Sequence, residues 1–284
     1  MQTLGIIGNG FVGSAVASGF SLHADIKIYD IDARNSTHSF LEVIESDFVF
    51  VCVPTPMNLN TSKIDLSIMD GVFNQIFESK RRQDNILIIK STMTPGSVEK
   101  YINLYPNLNI VHSPEFLTER SARLDFINAS RIILGGDHEH TSKVAHFFRT
   151  RFPATKIIQT DVTTAQFIKY MNNCFFAVKV SFMNELKQAA DVLNVDWESA
   201  MSGFMSDGRV GNSHLDVPGH DGSLGFGGKC FPKDLNAFME CFKQNGVDPK
   251  VMTAAWQKNL EVRKERDWES IVGAVSNDSK EQAA

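Results

Sequence analysis

The chain has 284 residues, 43% of them hydrophobic and 21% charged, with a formal net charge of -5. That length can bury a large core in one or two domains, and the acidic balance excludes a nucleic-acid or anionic-membrane partner held by bulk electrostatics. No apolar run nears the roughly 20 residues of a membrane span, the N-terminus opens on a strand pattern rather than a signal peptide, and four cysteines without CxxC spacing or scaffold density point to a reducing cytoplasm.

Thr3–Ile7 reads as a short buried strand. It runs directly into Gly8-Asn9-Gly10-Phe11-Val12-Gly13 and then a helical pattern over residues 14–20. In this order of strand, glycine turn and helix, backbone N–H groups and a helix N-terminus receive a dinucleotide pyrophosphate. A second strand at 26–29 ends in Asp30, at the separation expected for a carboxylate that binds the adenosine ribose hydroxyls. A carboxylate there repels a 2′-phosphate, which favours NAD over NADP, although Arg34 lies near enough to soften that repulsion. Further apolar strands are expected at 48–53, Ile86–Ile89, 109–111, 131–134 and 156–158, with helical periodicity between several of them, as at 66–77 and 141–148. The expected fold is α/β: a Rossmann-type parallel sheet covered on both faces over residues 1–160, followed by an all-α part over 161–284 packed tightly against it. Ligands of such sheets gather beyond the carboxyl ends of the strands. The segments there are Pro54-Thr55-Pro56, Ser91-Thr92-Met93-Thr94-Pro95-Gly96 and Ser113 through Glu119, whose hydroxyls and carboxylates are candidates as well as turn formers.

From Asp161 or Thr163 a long helix is expected to run to about residue 193, with Thr163 and Gln166 spaced as a capping box. Phe167, Met171, Phe175, Val178, Phe182, Leu186 and Ala189 make one apolar stripe. Lys169 and Asn173 are one turn apart on the other side, either as a solvated face or as a cation and an amide donor for an oxyanion. Residues 206–228 are rich in Gly, Asp, Asn and His and read as an extended loop; His214 and His220 within it lack metal-ligand spacing, so no metal is expected. Helical pattern resumes over 232–243 and 249–271, and the small, polar residues 276–284 read as frayed.

The loop ends in Gly225-Phe226-Gly227-Gly228-Lys229-Cys230-Phe231-Pro232-Lys233-Asp234. Three glycines in four positions allow close backbone approach to a ligand, and they lead to a cysteine whose thiolate is a strong nucleophile. Lys229 and Lys233 would favour the thiolate, and Asp234 can handle a proton if Pro232 starts a helix. The alternative is a buried, inert thiol.

These motifs together resemble the UDP-glucose/GDP-mannose dehydrogenase family, nearly along the full chain and in order: the glycine turn with Asp30, Thr55-Pro56, Lys90-Ser91-Thr92, Ser113 through Glu119, Arg131-Ile132, Lys169 with Asn173, Asp207 through Gly211, and Gly225 through Asp234. The resemblance implies oxidation of a nucleotide sugar's C6 alcohol, UDP-glucose foremost, to a carboxylate in two NAD-dependent steps through intermediates bonded to Cys230. It implies NAD held by Gly8, Asn9, Gly10, Phe11, Val12, Gly13, Asp30, Thr55, Pro56, Thr92 and Lys233. Lys169 and Asn173 would sit at the developing oxyanion, Asp234 with a catalytic water, and Glu119 and Thr92 as proton-transfer or water-positioning groups. Glu115, Phe116, Leu117, Phe226 and Gly227 would surround the nucleotide sugar, with Arg209 assisting across a subunit boundary of a homodimer. The family's further nucleotide-fold domain lies beyond the end of this sequence. Lys229 stands where a small residue is usual, Arg120 where Gly is common, and residues 218–224 look longer than usual; added cations and a longer loop are expected to replace some diphosphate contacts. Two other readings stay open: a single-step NAD-dependent hydroxyacid dehydrogenase using Lys169 with Cys230 structural, and a non-catalytic NAD- or nucleotide-sugar-binding protein.

Overall fold

The computed structural model describes residues 1–80 and 82–276. Among them, β1 Thr3–Ile7, β2 Asp25–Tyr29, β3 Phe48–Val51, β4 Ile86–Ile89, β5 Asn109–His112, β6 Arg131–Gly136 and β7 Lys156–Thr160 form one sheet in the order β2-β1-β3-β4-β5-β6-β7. Between successive strands lie α1 Phe11–Phe20, α2 Phe40–Ile44, α3 Ser67–Glu78, α4 Ser97–Leu104, α5 Ala122–Ile127 and α6 His138–Arg151. Then come α7 Val162–Val192, α8 Trp197–Met205, α9 Phe231–Gln244 and α10 Lys250–Val262. The chain makes two compact units, one of Met1–Thr55 with Asp65–Lys169, the other of Pro56–Ile64 with the chain from Tyr170.

In the first unit the period of two along each strand sorts side chains to opposite faces. Phe48 and Phe50 of β3 and Ile86 and Ile88 of β4 join a cluster with α1, α5 and α6. Their neighbours Val49, Val51, Leu87 and Ile89 join the opposite cluster with α2, α3 and α4. Both faces are therefore apolar and covered, as the near-continuous hydrophobic runs predict. Phe147 of α6 stacks on Phe20 at 4.6 Å and on Phe48 at 4.5 Å, tying two helices to the sheet.

The expected all-parallel sheet needs one correction: β6 runs antiparallel to β5, with Val111 opposite Gly136, while β6 and β7 are parallel to each other. A parallel crossover needs a dozen or more residues of returning chain, usually a helix. Residues 113–130 are long enough for one, but α5 within them has six residues, rising only about 9 Å, and packs onto α1, where Phe126 touches Gly19 so closely that a Cβ on Gly19 would lie 2.4 Å from its ring. The chain thus re-enters at the edge it left.

Of the two N-caps expected for α7 the structure uses Asp161, and the expected capping box does not form. Asp161 accepts from Thr164 N at 2.8 Å, so Thr163 already lies inside the first turn and its hydroxyl donates to Glu99. Gln166 is drawn instead to Thr94 O, at 2.7 Å, and to Gly96 N, at 3.2 Å, so no capping box forms.

In the second unit Tyr170, Cys174 and Ala177 of α7 pack with Phe226, Leu235 and Phe238. The apolar stripe of α7 faces outward: Phe167, Met171, Phe175, Phe182 and Leu186 are between 38% and 60% exposed, while the buried side carries Asn173, Ser181 and Asn184. The sequence reading missed α8, which Asp196 caps by accepting from Ser199. The helix expected over 249–271 stops at Val262, because residues 263–267 offer no apolar side chain to hold another turn and Arg263 turns inward. The last stretch is tied down where fraying was expected: Ser276 is buried and donates its N–H to Met57 O at 3.0 Å. Residues 277–284, the rest of that expectation, lie outside the described residues.

Candidate active site

The glycine turn of the first unit fits a dinucleotide in three ways. Gly8 takes a φ of +92°, and a Cβ there would meet Cys52 O at 2.8 Å. A Cβ on Gly13 would lie 2.0 Å from Gly8 O, so only glycine lets α1 pack against the turn. Gly10 caps α1 without a side-chain acceptor and has open space before it, leaving the helix's first N–H groups available to an anion. The α1 helix starts at Phe11, three residues earlier than the periodicity suggested, which brings Phe11, Val12 and Gly13 into its first turn. Asp30 sits at the end of β2 and accepts from Asn9 N at 2.6 Å and Asp32 N at 2.9 Å. Arg34 is engaged with Asp32 at 2.7 Å, not with Asp30.

Beyond β3 and β4, Thr55 donates its hydroxyl to Thr92 O at 2.9 Å. Pro56, the next residue, belongs to the second unit. Glu115 is the anchor of the following segment: one carboxylate oxygen accepts from Leu117 N at 2.6 Å and the other pairs with Lys169 at 2.8 Å, both side chains 5% exposed or less. Phe116 lies with the Arg131 guanidinium 4.5 Å and the Lys169 ammonium 5.6 Å from its ring centre. A cavity of about 300 Å³, lined by Lys90, Glu115, Phe116 and Arg131 among others, adjoins this segment. Glu119 is exposed at the start of a short 3-10 turn.

Two buried groups near this segment were given no role in the sequence reading, although Lys90 stands in one of its motifs. Lys90 directly follows the apolar strand β4 and is 5% exposed; burial pushes its ammonium down to about 8, and it reaches Pro114 O at 3.3 Å and Ser113 Oγ at 3.4 Å. A lysine ending a fully apolar strand was the signal available for it. His112 of β5 is wholly buried with neither ring nitrogen hydrogen-bonded, and burial, with the Lys90 cation nearby, pushes it down to about 3. The unfolded chain therefore binds the His112 proton below an ordinary histidine value of about 6.5 while the folded chain refuses it until about 3. Stability from this group is complete above that window and falls as pH drops through it. His112→Leu is expected to flatten the acid limb of a denaturant-midpoint series between pH 6.5 and 4 by roughly 3 kcal/mol; an unchanged slope would show that His112 is not the group responsible.

In the second unit Cys230 caps α9, which starts at Phe231 with Pro232 in its first turn. Asp234, 1% exposed, is bracketed: Lys233 pairs with one carboxylate oxygen at 2.5 Å and Asn173 donates its amide to the other at 2.6 Å. Lys233 is thus held in place by Asp234. Lys169 and Asn173, one turn apart on α7, are both buried, at 2% and 6%, which excludes the solvated-face alternative. Phe226 is buried in the core, while Arg209 is exposed and paired with Asp207. His214 stacks on Phe176 at 4.0 Å. Among the described residues no three His, Cys, Asp or Glu side chains cluster as metal ligands. No disulfide joins any of the four cysteines; burial pushes the Cys52 thiol up to about 12 and the Cys174 thiol up as well, which leaves both inert.

Residues 34–151 match the NAD binding domain of the UDP-glucose/GDP-mannose dehydrogenase family and residues 163–261 match its central domain. The chain belongs to the UDP-glucose/GDP-mannose dehydrogenase family. The cofactor of the matched nucleotide-binding domain is NAD. Similar members of the family include the UDP-glucose 6-dehydrogenase AglM of Haloferax volcanii, 28% identical over 90% of this chain and 69% of that protein. Another is the UDP-glucose 6-dehydrogenase of Rickettsia bellii, 31% identical over 78% of this chain and 50% of that protein. The chain thus spans about half the length of most of the curated relatives it matches. A solved UDP-glucose dehydrogenase from Pyrobaculum islandicum superposes with a TM-score of 0.79 at 25% identity, covering 91% of this chain and 68% of that one. A 3-hydroxyisobutyrate dehydrogenase from Mycobacterium tuberculosis has a TM-score of 0.73 at 18% identity, over 90% of this chain and 92% of that one, a likeness of fold alone. The family's dehydrogenase members and the hydroxyacid enzyme therefore share a fold, and the chemistry has to be argued from side chains.

Proposed function

We propose that the chain oxidises the C6 alcohol of a nucleotide sugar, UDP-glucose foremost, to the carboxylate with two NAD per sugar through covalent intermediates on Cys230. The observation that carries this reading is the glycine-framed thiol at the start of α9, four residues before a buried Asp234 that Lys233 and Asn173 hold. Bound NAD would accept a hydride in each of the two oxidations. The protein's own part begins with Lys169, whose ammonium favours the alkoxide form of the C6 oxygen and whose place is fixed by Glu115. The Cys230 thiolate adds to the resulting aldehyde carbon, and Lys169 and Asn173 stabilise the oxyanion of the thiohemiacetal. After the second oxidation the thioester is hydrolysed by a water that Asp234 orders, with Glu119 and Thr92 as further proton-transfer or water-positioning groups. Covalent capture keeps the reactive aldehyde in place while cofactor is exchanged.

Glu115, Phe116, Leu117, Phe226, Gly227 and Arg209 are assigned to the nucleotide sugar, and the glycine turn with Asp30, Thr55, Pro56, Thr92 and Lys233 to NAD. Asp30→Ala is expected to weaken NAD binding about tenfold or more, since it removes a charged acceptor; an unchanged dissociation constant by calorimetry would remove Asp30 from the cofactor site. The exposed apolar stripe of α7 supports a homodimer, the negative charge argues against nucleic acid, and no helix among the described residues is long and apolar enough to cross a membrane. Thiol chemistry and the lack of disulfides suit the cytoplasm.

The deciding experiment counts NADH at 340 nm with limiting UDP-glucose and excess NAD. Two NADH per sugar is the expected result. One per sugar would assign the chain to single-step dehydrogenases, and none with any nucleotide sugar would leave a binding protein.

A further inference from the structure

The loop that precedes Cys230 belongs to no helix or strand, yet the backbone N–H groups of Ser223, Gly225, Phe226 and Gly228 are all taken by side chains. Gly225 N donates to Asn184 at 3.1 Å, and Asn259 of α10 accepts from Phe226 N at 2.7 Å while donating to Phe226 O at 3.0 Å. Gly228 N donates to Asp267 at 2.8 Å, and upstream Ser223 N donates to Asp221 at 3.0 Å. One cation joins those two carboxylates: the Arg263 guanidinium, 5% exposed, lies 2.9 Å from Asp221 and 3.2 Å from Asp267. It packs so tightly under the loop that a Cβ on Gly227 would come within 2.4 Å of its Nη2. Its Nη1 is buried with no hydrogen-bond partner. A buried cation that leaves a donor unsatisfied is a poor device for stability alone. Both carboxylates are about a third exposed, so each can return to water if the arginine is lost.

We propose that Arg263 is a positioning residue for the thiol: through Asp221 on one side and Asp267 on the other it clamps the loop and sets the attitude of Cys230. The inference rests on the reading of Cys230 as nucleophile, and its primary test does not need a sugar. In the absence of the clamp the loop should sample open states, which exposes the thiol while removing it from its working position.

The test is the rate of iodoacetamide alkylation at each cysteine, read by peptide mass spectrometry, for the native chain, Arg263→Gln, Arg263→Lys and Asp267→Asn at a temperature well below unfolding. Buried Cys174 of the same unit serves as an internal clock, because global opening would expose it together with Cys230. The expected result is Cys230 labelling at least fivefold faster in Arg263→Gln and Asp267→Asn, with Cys174 still protected. Arg263→Lys should fall between, since an ammonium can satisfy one carboxylate well but not both. Turnover should drop at least tenfold in kcat with KM within about threefold. Labelling of Cys230 within twofold of native in both variants, or labelling of Cys174 in step with Cys230, overturns the proposal. Should Arg263→Gln fail to fold, Asp267→Asn alone decides. A labelling shift in a chain that makes no NADH from any nucleotide sugar would instead spare the clamp and sink the catalytic reading.

Discussion

Cys230→Ser is expected to fold normally, to carry out the first oxidation, and to stall before the second by about a thousandfold or more. The native cysteine makes no capping hydrogen bond from its side chain and its backbone is already in the right-handed helical region, so exchanging sulfur for oxygen should cost α9 little stability. The chemistry is another matter: a hydroxyl remains protonated near neutral pH unless a base removes its proton, whereas a thiol is readily ionised and intrinsically more nucleophilic. The aldehyde would then leave or hydrate in place of being captured. With limiting UDP-glucose and excess NAD, the variant should form at most one NADH per sugar, and hydroxylamine should trap the aldehyde as an oxime. The native chain, quenched in acid during turnover, should show by mass spectrometry a sugar-bearing peptide at Cys230. Two NADH per sugar from the serine variant at the native rate would remove the thiol from the mechanism.

Lys169→Met should affect both stability and rate. Its ion pair with Glu115 is almost wholly buried, so deleting the cation leaves a carboxylate without its partner; such a break costs about 3–5 kcal/mol. The same change removes the group proposed to stabilise the alkoxide and oxyanion, for which loss of a factor of roughly 10² to 10³ in kcat is typical. Pairing it with Glu115→Leu separates the two effects. The double variant should regain most of the stability, because an apolar pair of similar volume replaces the ion pair, and should remain inactive. Denaturant midpoints and initial rates for the two single variants and the double variant form the cycle. Recovery of activity together with stability would mean that Lys169 acts only as a structural partner of Glu115.

Much of the fold could be read because the strands of the first unit are short apolar runs set off by glycine, proline and polar turns. β1 and β4 matched residue for residue, and the other strands differed only at their ends. Strand direction was less legible: nothing in residues 113–130 states that the chain packs onto α1 and returns to the same edge, since that depends on a contact between Phe126 and Gly19 over a hundred residues apart. The stripe of α7 shows a related limit. Periodicity identifies which residues share a face but not which face is covered, and here polar Asn173, Ser181 and Asn184 go inward because their hydrogen bonds are met there. Candidate site residues were legible where chemistry and local spacing coincide, as at Cys230 and Asp234. Arg263, Asn259 and Asp267 were not, because they meet the thiol loop from 30 or more residues downstream and carry no motif of their own.

The exposed pair of Arg34 with Asp32 bears on how cofactor use can drift over evolutionary time. A cation already stands beside the proposed ribose site, kept occupied by a neighbour two positions away. Loss of the carboxylates at Asp30 and Asp32 would release it toward a 2′-phosphate, with the glycine turn and the sheet untouched. In this segment two carboxylates share the work: Asp30 repels a 2′-phosphate, and Asp32 keeps the neighbouring cation occupied.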